Sequence, residues 1–555
     1  MGLGICLLTG ISVYARKSAD AFPLFRQRIS RDQKVEHALN RLTFGPQPGE
    51  VQRVSALGLE KWIDLQLHPE RIPESPELET KLRPLDTLGM STVQMLESYP
   101  PPALVKEMVA GKVPFPADPD QRMMVDRLAA RMQSKTDQAG SSPPPGLSAL
   151  LPTEQLRVLR VGTPQQKLDL FNSFSQDRQD QILESMGQGM RMQLYAAAGP
   201  ALRRRIQSAN GPQAMVAQDL MAAKLFRAVY SQRQLEEVLA DFWFNHFNIF
   251  IEKGADRYLV TAYERDAIRP RVLGKFEDLL RATAQSPAML YYLDNWESVG
   301  PRSPAGIRRK RGLNENYGRE LLELHTLGVD GGYTQKDVIE VARCFTGWTI
   351  KQPQSVAEFE FNPRMHDEGE KTVLGVRIPA GGGIDDGFRV LHLLAHHRST
   401  ARFISRELAV RFVADDPPET LVNRMAGTFL KKDGDLRAVL KTMFDSPEFW
   451  SRGAYRAKIK SPLEIVASSL RALNAQVDFT LALDRQLNEL GEPLYRKAEP
   501  AGYSNLGREW LNSAGLLARM NFGVELANNK VPGVKVDGAS PDEGVRLGSP
   551  DFQKK

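Results

Sequence analysis

The pattern of apolar and polar positions predicts a mainly helical protein. From Asp32 to Leu67, apolar residues recur at helical spacing on both sides of an "FGPQPG" turn, which predicts two short amphipathic helices. The helical pattern resumes at Gln213 and returns repeatedly beyond Gly387. Extended patterns are few, and the best one, "AEFEFNPRMHDEGEKTVLGVRI", predicts one β-hairpin. We therefore expect a multi-helix, bundle-like core with one small hairpin and an inserted array of short helices.

The inserted array follows a Pro- and Gly-rich stretch that ends in "GSSPPPG". Segments starting at Thr153, Thr163 and Ser175 each begin with a hydroxyl residue, continue with a Gln- or Glu-rich first turn and end in apolar residues. Helices this short are marginal alone in water, so they must stack on each other or on the main body. We expect a surface insertion, with a partner-docking arm as the alternative.

These patterns divide the chain into seven regions. They are a signal peptide or apolar arm at 1–30, an N-terminal helical module at 31–113, a Pro-rich linker and short-helix insertion at 114–212, a central helical core at 213–350, the hairpin at 351–384, a C-terminal helical region at 385–535 and a flexible tail at 536–555.

The first residues favour export. The apolar run from Leu3 to Val13 is too short to cross a bilayer but fits the centre of a signal peptide, with cleavage after Ala15 or Ala21. The positive charge that usually precedes such a run is missing, so a non-secretory apolar arm is the alternative. We expect an exported protein, periplasmic or extracellular, with no transmembrane segment in the mature chain.

Composition excludes several classes of function. The net charge is +6 with both signs mixed along the chain, so we expect no nucleic-acid partner. Cys6 and Cys344 are the only cysteines, which excludes a disulfide framework and a cysteine zinc site. The chain also lacks a phosphate loop, a nucleophile elbow and a zincin motif, so nucleotide-driven chemistry is not expected.

The densest candidate chemistry lies in "GLNENYGRELLELHTLGVDGGYTQKDVIEVARCFTGW". At about 100° per residue, Glu315, Asn316, Arg319, Glu320 and Glu323 fall on one helical stripe. One interpretation is a solvent face held by ion pairs of Arg319. The other is a cleft wall in which Glu315 or Glu320 is the acid or base and Arg319 and Asn316 bind substrate.

Two histidines and two further residues are candidates near this stripe. His246 lies among aromatic residues in "LEEVLADFWFNHFNIF", and it is either a hydrogen-bonded core residue or a catalytic acid or base. His325 carries the same ambiguity. Asn245 and Trp348 are candidate substrate contacts.

The turn "MHDEGEK" is the third candidate. A turn leaves side chains free to face a ligand, so His366 and Asp367 are candidate proton-transfer residues and Lys371 a candidate anion binder, with an ordinary charged turn as the alternative. His392 and His396 have a helical spacing that can bind metal, but the zincin glutamate is absent. The sequence therefore leaves the metal and any cofactor undetermined.

The chain as a whole resembles a known bacterial family. The resemblance rests on the motifs "FWFNHFNIF", "LDN", "NENYGRELLELHTLGVDGGYTQKDVIEVARCFTGW", "HDEGEK" and "HHRSTARFISRELAVRFVADDPP". Together they resemble the domain of unknown function numbered eighteen hundred, over roughly residues 35 to 530. The chain departs from that pattern at Arg398, where most relatives have proline. The resemblance implies that the protein is exported. It also implies that the protein is encoded beside a member of a second uncharacterised family, which looks like sulfatases and alkaline phosphatases.

Two functional hypotheses follow. The first is an acid–base or metal-assisted hydrolase or lyase that acts on an extracellular polymer, in a cleft formed by helices at 235–250 and 314–326 and the "HDEGEK" turn. The second is a non-catalytic partner or scaffold for the co-encoded phosphatase- or sulfatase-like protein, docked through the short-helix insertion.

Overall fold

The protein is mainly helical, as the sequence predicts. The computed structural model describes residues 22–137, 146–208, 211, 213–309, 312–353, 356–538 and 540–555. The predicted signal-peptide core and its cleavage sites fall on residues 1–21, and the "GSSPPPG" stretch except its last residue, Gly146, falls on residues 138–145, so both lie outside the described residues. No helix in the described ranges combines the length and apolarity that a membrane span requires.

The N-terminal module and the insertion are built from short helices. Their bounds are Phe22–Phe25, Arg31–Leu42, Glu50–Leu57, Leu59–Leu67, Pro76–Leu82, Thr92–Ser98, Pro102–Val109, Pro119–Asp137, Leu147–Leu150, Thr153–Val161, Pro164–Asn172, Gln176–Ser185, Gln188–Ala197 and Pro200–Ser208. The helix Pro119–Asp137 occupies much of the stretch that composition predicts as a linker, so that part of the linker prediction is wrong.

Helices of 5 to 18 residues form the central and C-terminal regions. Their α-helical bounds are Gln213–Tyr230, Gln234–His246, Asp256–Ala262, Phe276–Ala284, Pro287–Tyr292, Pro304–Arg309, Asn316–Glu320, Gln335–Cys344, Asp385–Ala395, Arg398–Phe412, Glu419–Lys431, Leu436–Phe444, Pro462–Ala472, Leu481–Glu489, Ser513–Ala527 and Pro541–Gly548. Two π-helical turns, Tyr263–Ile268 and Leu321–Thr326, continue the helices before them.

The strands form two hairpins where the sequence predicts one. Trp348–Lys351 pairs antiparallel with Glu358–Phe361, and Lys371–Val373 pairs antiparallel with Val376–Ile378. The second hairpin turns tightly through Leu374 and Gly375, both at positive φ. A further two-residue pair joins Gln476–Val477 to Val534–Lys535.

One continuous apolar core runs from the N-terminal module to the last helix and contains buried ion pairs. Glu237 pairs with Arg269 at 2.8 Å, and Asp241 pairs with Lys224 at 3.0 Å. All four side chains are at most 15% exposed. The carboxylates of the Gln234–His246 helix that reach the core are therefore neutralised by cations from other elements, as burial of charge requires.

The short-helix insertion has its own apolar cluster. Five helices between Thr153 and Ser208 begin 11 or 12 residues apart. Phe171, Ile182 and Leu194 are almost fully buried within it, and Phe479 from the C-terminal region joins the cluster. The predicted stacking of these helices is thus present, both on each other and on the main body.

The C-terminal region predicted as a flexible tail is folded. The helix Pro541–Gly548 packs beside Ser513–Ala527, and Lys555 is only 5% exposed. The Lys555 backbone N–H donates to the Lys458 carbonyl at 2.9 Å, and its ammonium group pairs with Glu464. The tail prediction is wrong because a buried charge partner holds this polar end in place.

Candidate functional site

The segment 315–326 changes helix type in its middle. The α-helix Asn316–Glu320 passes directly into the π-helical turn Leu321–Thr326. Thr326 Oγ1 donates to the Leu321 carbonyl at 2.6 Å, a contact that spans five residues. A π turn changes the angle between successive residues, so the regular spacing used for the sequence stripe fails beyond Glu320. Such turns are frequent at functional sites.

Gly318 seats this segment against the helix Gln335–Cys344. A Cβ on Gly318 would lie 3.0 Å from the Val338 carbonyl oxygen and 3.1 Å from the Ala342 nitrogen. Tyr317 beside it is 1% exposed. Because this side faces the core, the polar residues of the segment are left on the accessible side.

One end of the acidic stripe is a solvent-facing network. Arg319 Nη2 lies 3.4 Å from Glu315 Oε2 and 3.1 Å from Gln335 Oε1. Gln335 Nε2 donates to Glu315 Oε2 at 2.7 Å. The Glu315 and Arg319 side chains are 37% and 40% exposed. This end matches the ion-paired surface that was one of the two sequence interpretations.

Glu320 has a different environment. Within the described part of the chain, its carboxylate has no hydrogen-bond donor and no ion-pair partner. Burial raises the pKa of Glu320, the neighbouring charge of Glu323 raises it further, and Arg319 lowers it in part. Glu323 accepts a hydrogen bond from Tyr333 Oη at 3.0 Å. Two adjacent carboxylates in unlike environments can separate the roles of acid and base.

The surface beside Glu320 is formed by residues that the sequence reasoning did not single out. Burial raises the pKa of Tyr292, a hydrogen bond with Asn248 lowers it in part, and the nearby charges of Asp256 and Glu320 raise it further. Lys253 Nζ lies 2.6 Å from Asp294 Oδ1 and also donates to the Tyr292 carbonyl at 2.6 Å. Asp294 adopts a left-handed φ of 57°, a strained conformation that clusters at functional sites. Only the "LDN" motif pointed to this region.

The two candidate amides differ in availability. Asn245 Oδ1 accepts from the Tyr503 backbone N–H at 3.2 Å, and its Nδ2 donates to the Asp241 carbonyl at 3.2 Å. Gly502 approaches so closely that a Cβ there would lie 2.2 Å from the Asn245 carbonyl oxygen. Asn245 thus holds the backbone of the segment around residue 502. Asn316 is exposed, and its Nδ2 donates a long hydrogen bond to the Leu293 carbonyl at 3.4 Å, so its Oδ1 is the atom that can face a ligand.

His246 and His325 are brought together from two distant motifs. His246 Nε2 donates to the His325 carbonyl at 3.1 Å, and the two rings lie 6.4 Å apart. Burial is the largest cause that lowers the pKa of His246 to about 4 and that of His325 to about 3. Both imidazoles are therefore neutral near pH 7, and both lie against the aromatic ring of Phe247.

Two side chains of the "MHDEGEK" segment, His366 and Lys371, point into the core. His366 and Lys371 are 0% and 1% exposed. Lys371 Nζ lies 2.6 Å from Asp386 Oδ2, and His366 Nε2 lies 3.2 Å from the same oxygen. His366 Nδ1 donates to the Thr346 carbonyl at 2.8 Å. The expectation that these side chains are free to face a ligand is wrong, because the buried charge of Asp386 draws them into the core.

Asp367 and Trp348 are also held by protein partners. Asp367 accepts from Arg343 Nε at 3.0 Å and Nη2 at 2.9 Å. Burial alone would raise the pKa of Asp367, but the hydrogen bond from Arg343 lowers it below its usual range. Trp348 is 0% exposed and packs on Phe345 and Phe388. The indole is enclosed by the core and presents no surface to a substrate.

The expected central cleft is only partly assembled. The helices that carry His246 and His325 meet, whereas the hydrogen-bond and ion-pair partners of His366 are Thr346, Lys371 and Asp386, none of which belongs to the acidic stripe. Two cavities of about 440 and 400 Å³ lie elsewhere, at the insertion and beside Tyr258. The candidate site is therefore an open acidic face centred on Glu320.

The fold and the site define a mainly helical protein with a half-buried acidic face on a π-helical turn. A family model described as "Protein of unknown function (DUF1800)" matches residues 37–551, and the chain belongs to this family, as its motifs indicated. No curated protein and no solved structure matches the chain.

Proposed function

We propose that the protein is an acid–base hydrolase or lyase that acts on an extracellular polymer, with the reaction centred on Glu320. The observation that carries the proposal is the unlike pair of carboxylates: Glu320 is half-buried without a partner among the described residues, and Glu323 is hydrogen-bonded by Tyr333. Glu237, Asp241 and Asp386 in the core each have a basic partner. Asp256 has no hydrogen-bond donor among the described residues but is fully buried, whereas Glu320 is partly exposed, so Glu320 combines the lack of a partner with access to the surface.

In this proposal Glu320 donates a proton to the leaving group, because its raised pKa keeps the protonated form populated to higher pH than for a free glutamate. Glu323, which accepts the hydrogen bond from Tyr333, acts as the base or stabilises positive charge. Arg319 and Lys253 lie at the two edges of the face and would bind anionic groups of the polymer. The open form of the face suits a long chain better than a small enclosed ligand.

Replacement of Glu320 by Gln tests the proposal. The purified protein would be incubated with a panel of extracellular polysaccharides, and new chain ends and unsaturated products would be measured. We expect E320Q to lose about 10² to 10⁴-fold in turnover, the usual contribution of a general acid. The parent rate should fall as pH rises through the raised pKa of Glu320, because the acid must be protonated.

The matched control is Glu543→Gln on the helix Pro541–Gly548, which removes a partly exposed carboxylate that pairs with Arg546 of the same helix. E543Q should keep the parent rate. Equal rates for E320Q and the parent, with both proteins folded by circular dichroism, would refute the assignment of Glu320.

A second candidate function is a non-catalytic role as partner or scaffold for a co-encoded phosphatase- or sulfatase-like protein. The observation that favours it is the regular stack of five short helices with its own core, because stacked helical repeats build extended binding surfaces. Loss of co-purification with that partner after removal of residues 153–208, with unchanged binding by E320Q, would support the scaffold role.

A further inference from the structure

Four side chains from three separate segments meet at the end of the helix Asp385–Ala395. His392 Nδ1 lies 3.2 Å from both Glu277 carboxylate oxygens, and His396 Nε2 lies 2.6 Å from Asp433 Oδ1. The two imidazole rings are 4.3 Å apart. One potential ligand atom from each of Glu277, His392 and His396 lies within 4.8 Å of the others. The sequence showed the histidine pair but not the carboxylates, which lie 115 residues before His392 and 37 after His396.

The backbone holds these segments in fixed positions. Phe276, next to Glu277, donates its N–H to the Gly434 carbonyl at 2.9 Å, which fixes the turn that carries Asp433. The helices that carry Glu277 and His392 are in contact through Arg281, which lies 4.3 Å from the centre of the Phe388 ring. The four side chains are thus presented by a rigid scaffold and not by a free loop.

Both ring nitrogens of His396 face hydrogen-bond acceptors. Nδ1 lies 2.9 Å from the His392 carbonyl oxygen, which can only accept, so Nδ1 carries a proton. Nε2 then faces the Asp433 carboxylate, which also only accepts when ionised. Nε2 therefore carries either a second proton or a bound metal ion in place of that proton. A backbone carbonyl that fixes the other ring nitrogen is the usual support of a metal-bound histidine.

We infer that Glu277, His392 and His396 form a binding site for a divalent transition metal of the zinc type, with Asp433 as a fourth ligand. Two imidazoles with carboxylates are the ligands that Zn²⁺ takes, whereas Ca²⁺ and Mg²⁺ prefer oxygen ligands alone. The helix Asp385–Ala395 ends at His396, and the negative end of its dipole favours a cation there. The site lies at the surface, where the His392 side chain is 66% exposed, so metal enters without unfolding.

The neighbouring Lys275 supplies a sharper test. Its ammonium group pairs with Asp433 and so competes with a metal for this carboxylate. Removal of the charge should therefore increase metal affinity, an effect opposite in direction to the loss of a ligand.

The experiment is a zinc titration of the full chain, without an affinity tag, in competition with a chromophoric chelator near neutral pH. We expect one zinc ion per chain with submicromolar affinity. His392→Ala, His396→Ala and Glu277→Gln should each weaken binding by at least about tenfold. Lys275→Met should strengthen it.

His68→Ala is the matched control, because His68 is a surface histidine with a single carboxylate neighbour, Asp64, at 3.4 Å. H68A should bind zinc as the parent does. A parent that binds no zinc, or a loss of affinity in H68A equal to that in H392A, would overturn the assignment. If Lys275→Met leaves the affinity unchanged, Asp433 is not a ligand.

Discussion

At the residue scale, the sequence identified side chains that can take part in catalysis. It did not identify the residues that form hydrogen bonds and ion pairs with them in the folded protein. The sequence placed Lys371 and His366 at or near one ligand-facing turn, yet Lys371 begins the strand Lys371–Val373. Asp386, 15 and 20 residues further along the chain, draws both side chains into the core. The pairing of charges across such separations depends on how helices pack, which residue type and local spacing do not encode. Glu320 was found because its neighbour Glu323 is local in sequence, so their mutual effect on the pKa could be predicted.

Asp256 gives a prediction at the same scale. It is 0% exposed, and neither carboxyl oxygen has a hydrogen-bond donor among the described residues. Burial raises the pKa of Asp256 well above its usual range. The folded state therefore binds this proton more tightly than the unfolded state, and stability falls as pH rises from the usual carboxylate range to the raised pKa, by about 1.4 kcal/mol per pH unit.

We expect Asp256→Asn to remove this slope. Urea unfolding at a series of pH values should show that the parent loses stability relative to D256N as pH rises over that interval. Asp542, an exposed carboxylate on the first turn of a surface helix, provides the control D542N, which should keep the parent slope. Parallel pH profiles for the parent and D256N would contradict the prediction.

At the scale of elements, long amphipathic helices were predicted well because burial of one face imposes a period of about 3.6 residues. Short strands and changes of helix type were not predicted well. The second hairpin has only three residues per strand, too few for an alternation to stand out. The π turn at Leu321–Thr326 leaves no periodic signal either, because it lasts for a single turn and is set by packing of the surrounding residues.

Thr326 links this turn to stability and to the site. Its hydroxyl donates to the Leu321 carbonyl at 2.6 Å and is fully buried. Thr326→Val keeps the shape but removes the donor, so we expect a loss of about 1 kcal/mol in the free energy of unfolding. If the turn positions Glu320 and Glu323, polymer cleavage should also decrease.

Denaturant unfolding of T326V and the parent measures the first effect. Thr428→Val is the control, because Thr428 is partly exposed on an ordinary α-helix, where its hydroxyl lies 3.2 Å from the Arg424 carbonyl oxygen and 3.0 Å from Thr442 Oγ1. We expect a clearly smaller loss for T428V. Equal losses in the two variants would mean that the π turn needs no hydroxyl support.

At the scale of the whole molecule, the sequence predicted a mainly helical protein with an inserted helical array, and both are present. It did not predict how the array is attached. Arg204, on the last helix of the array, lies 3.0 Å from each carboxylate oxygen of Asp219, donates to Tyr99 Oη at 2.8 Å and also pairs with Asp86. This one guanidinium group joins the insertion to two segments of the N-terminal module and to the central helix Gln213–Tyr230.

Arg204→Ala should therefore loosen the insertion from the body. The Asp219 side chain is 4% exposed and would be left without its cation, which costs roughly 3 kcal/mol for a buried pair. We expect faster hydrogen exchange throughout residues 153–208 and little change in the central helices, since the insertion has its own apolar cluster.

The control is Arg157→Ala in the same insertion, because Arg157 and its partner Glu154 are 73% and 78% exposed and such an ion pair contributes little to stability. Should R204A and R157A exchange at the same rates, the insertion is held by its apolar contacts with Phe479 and not by Arg204.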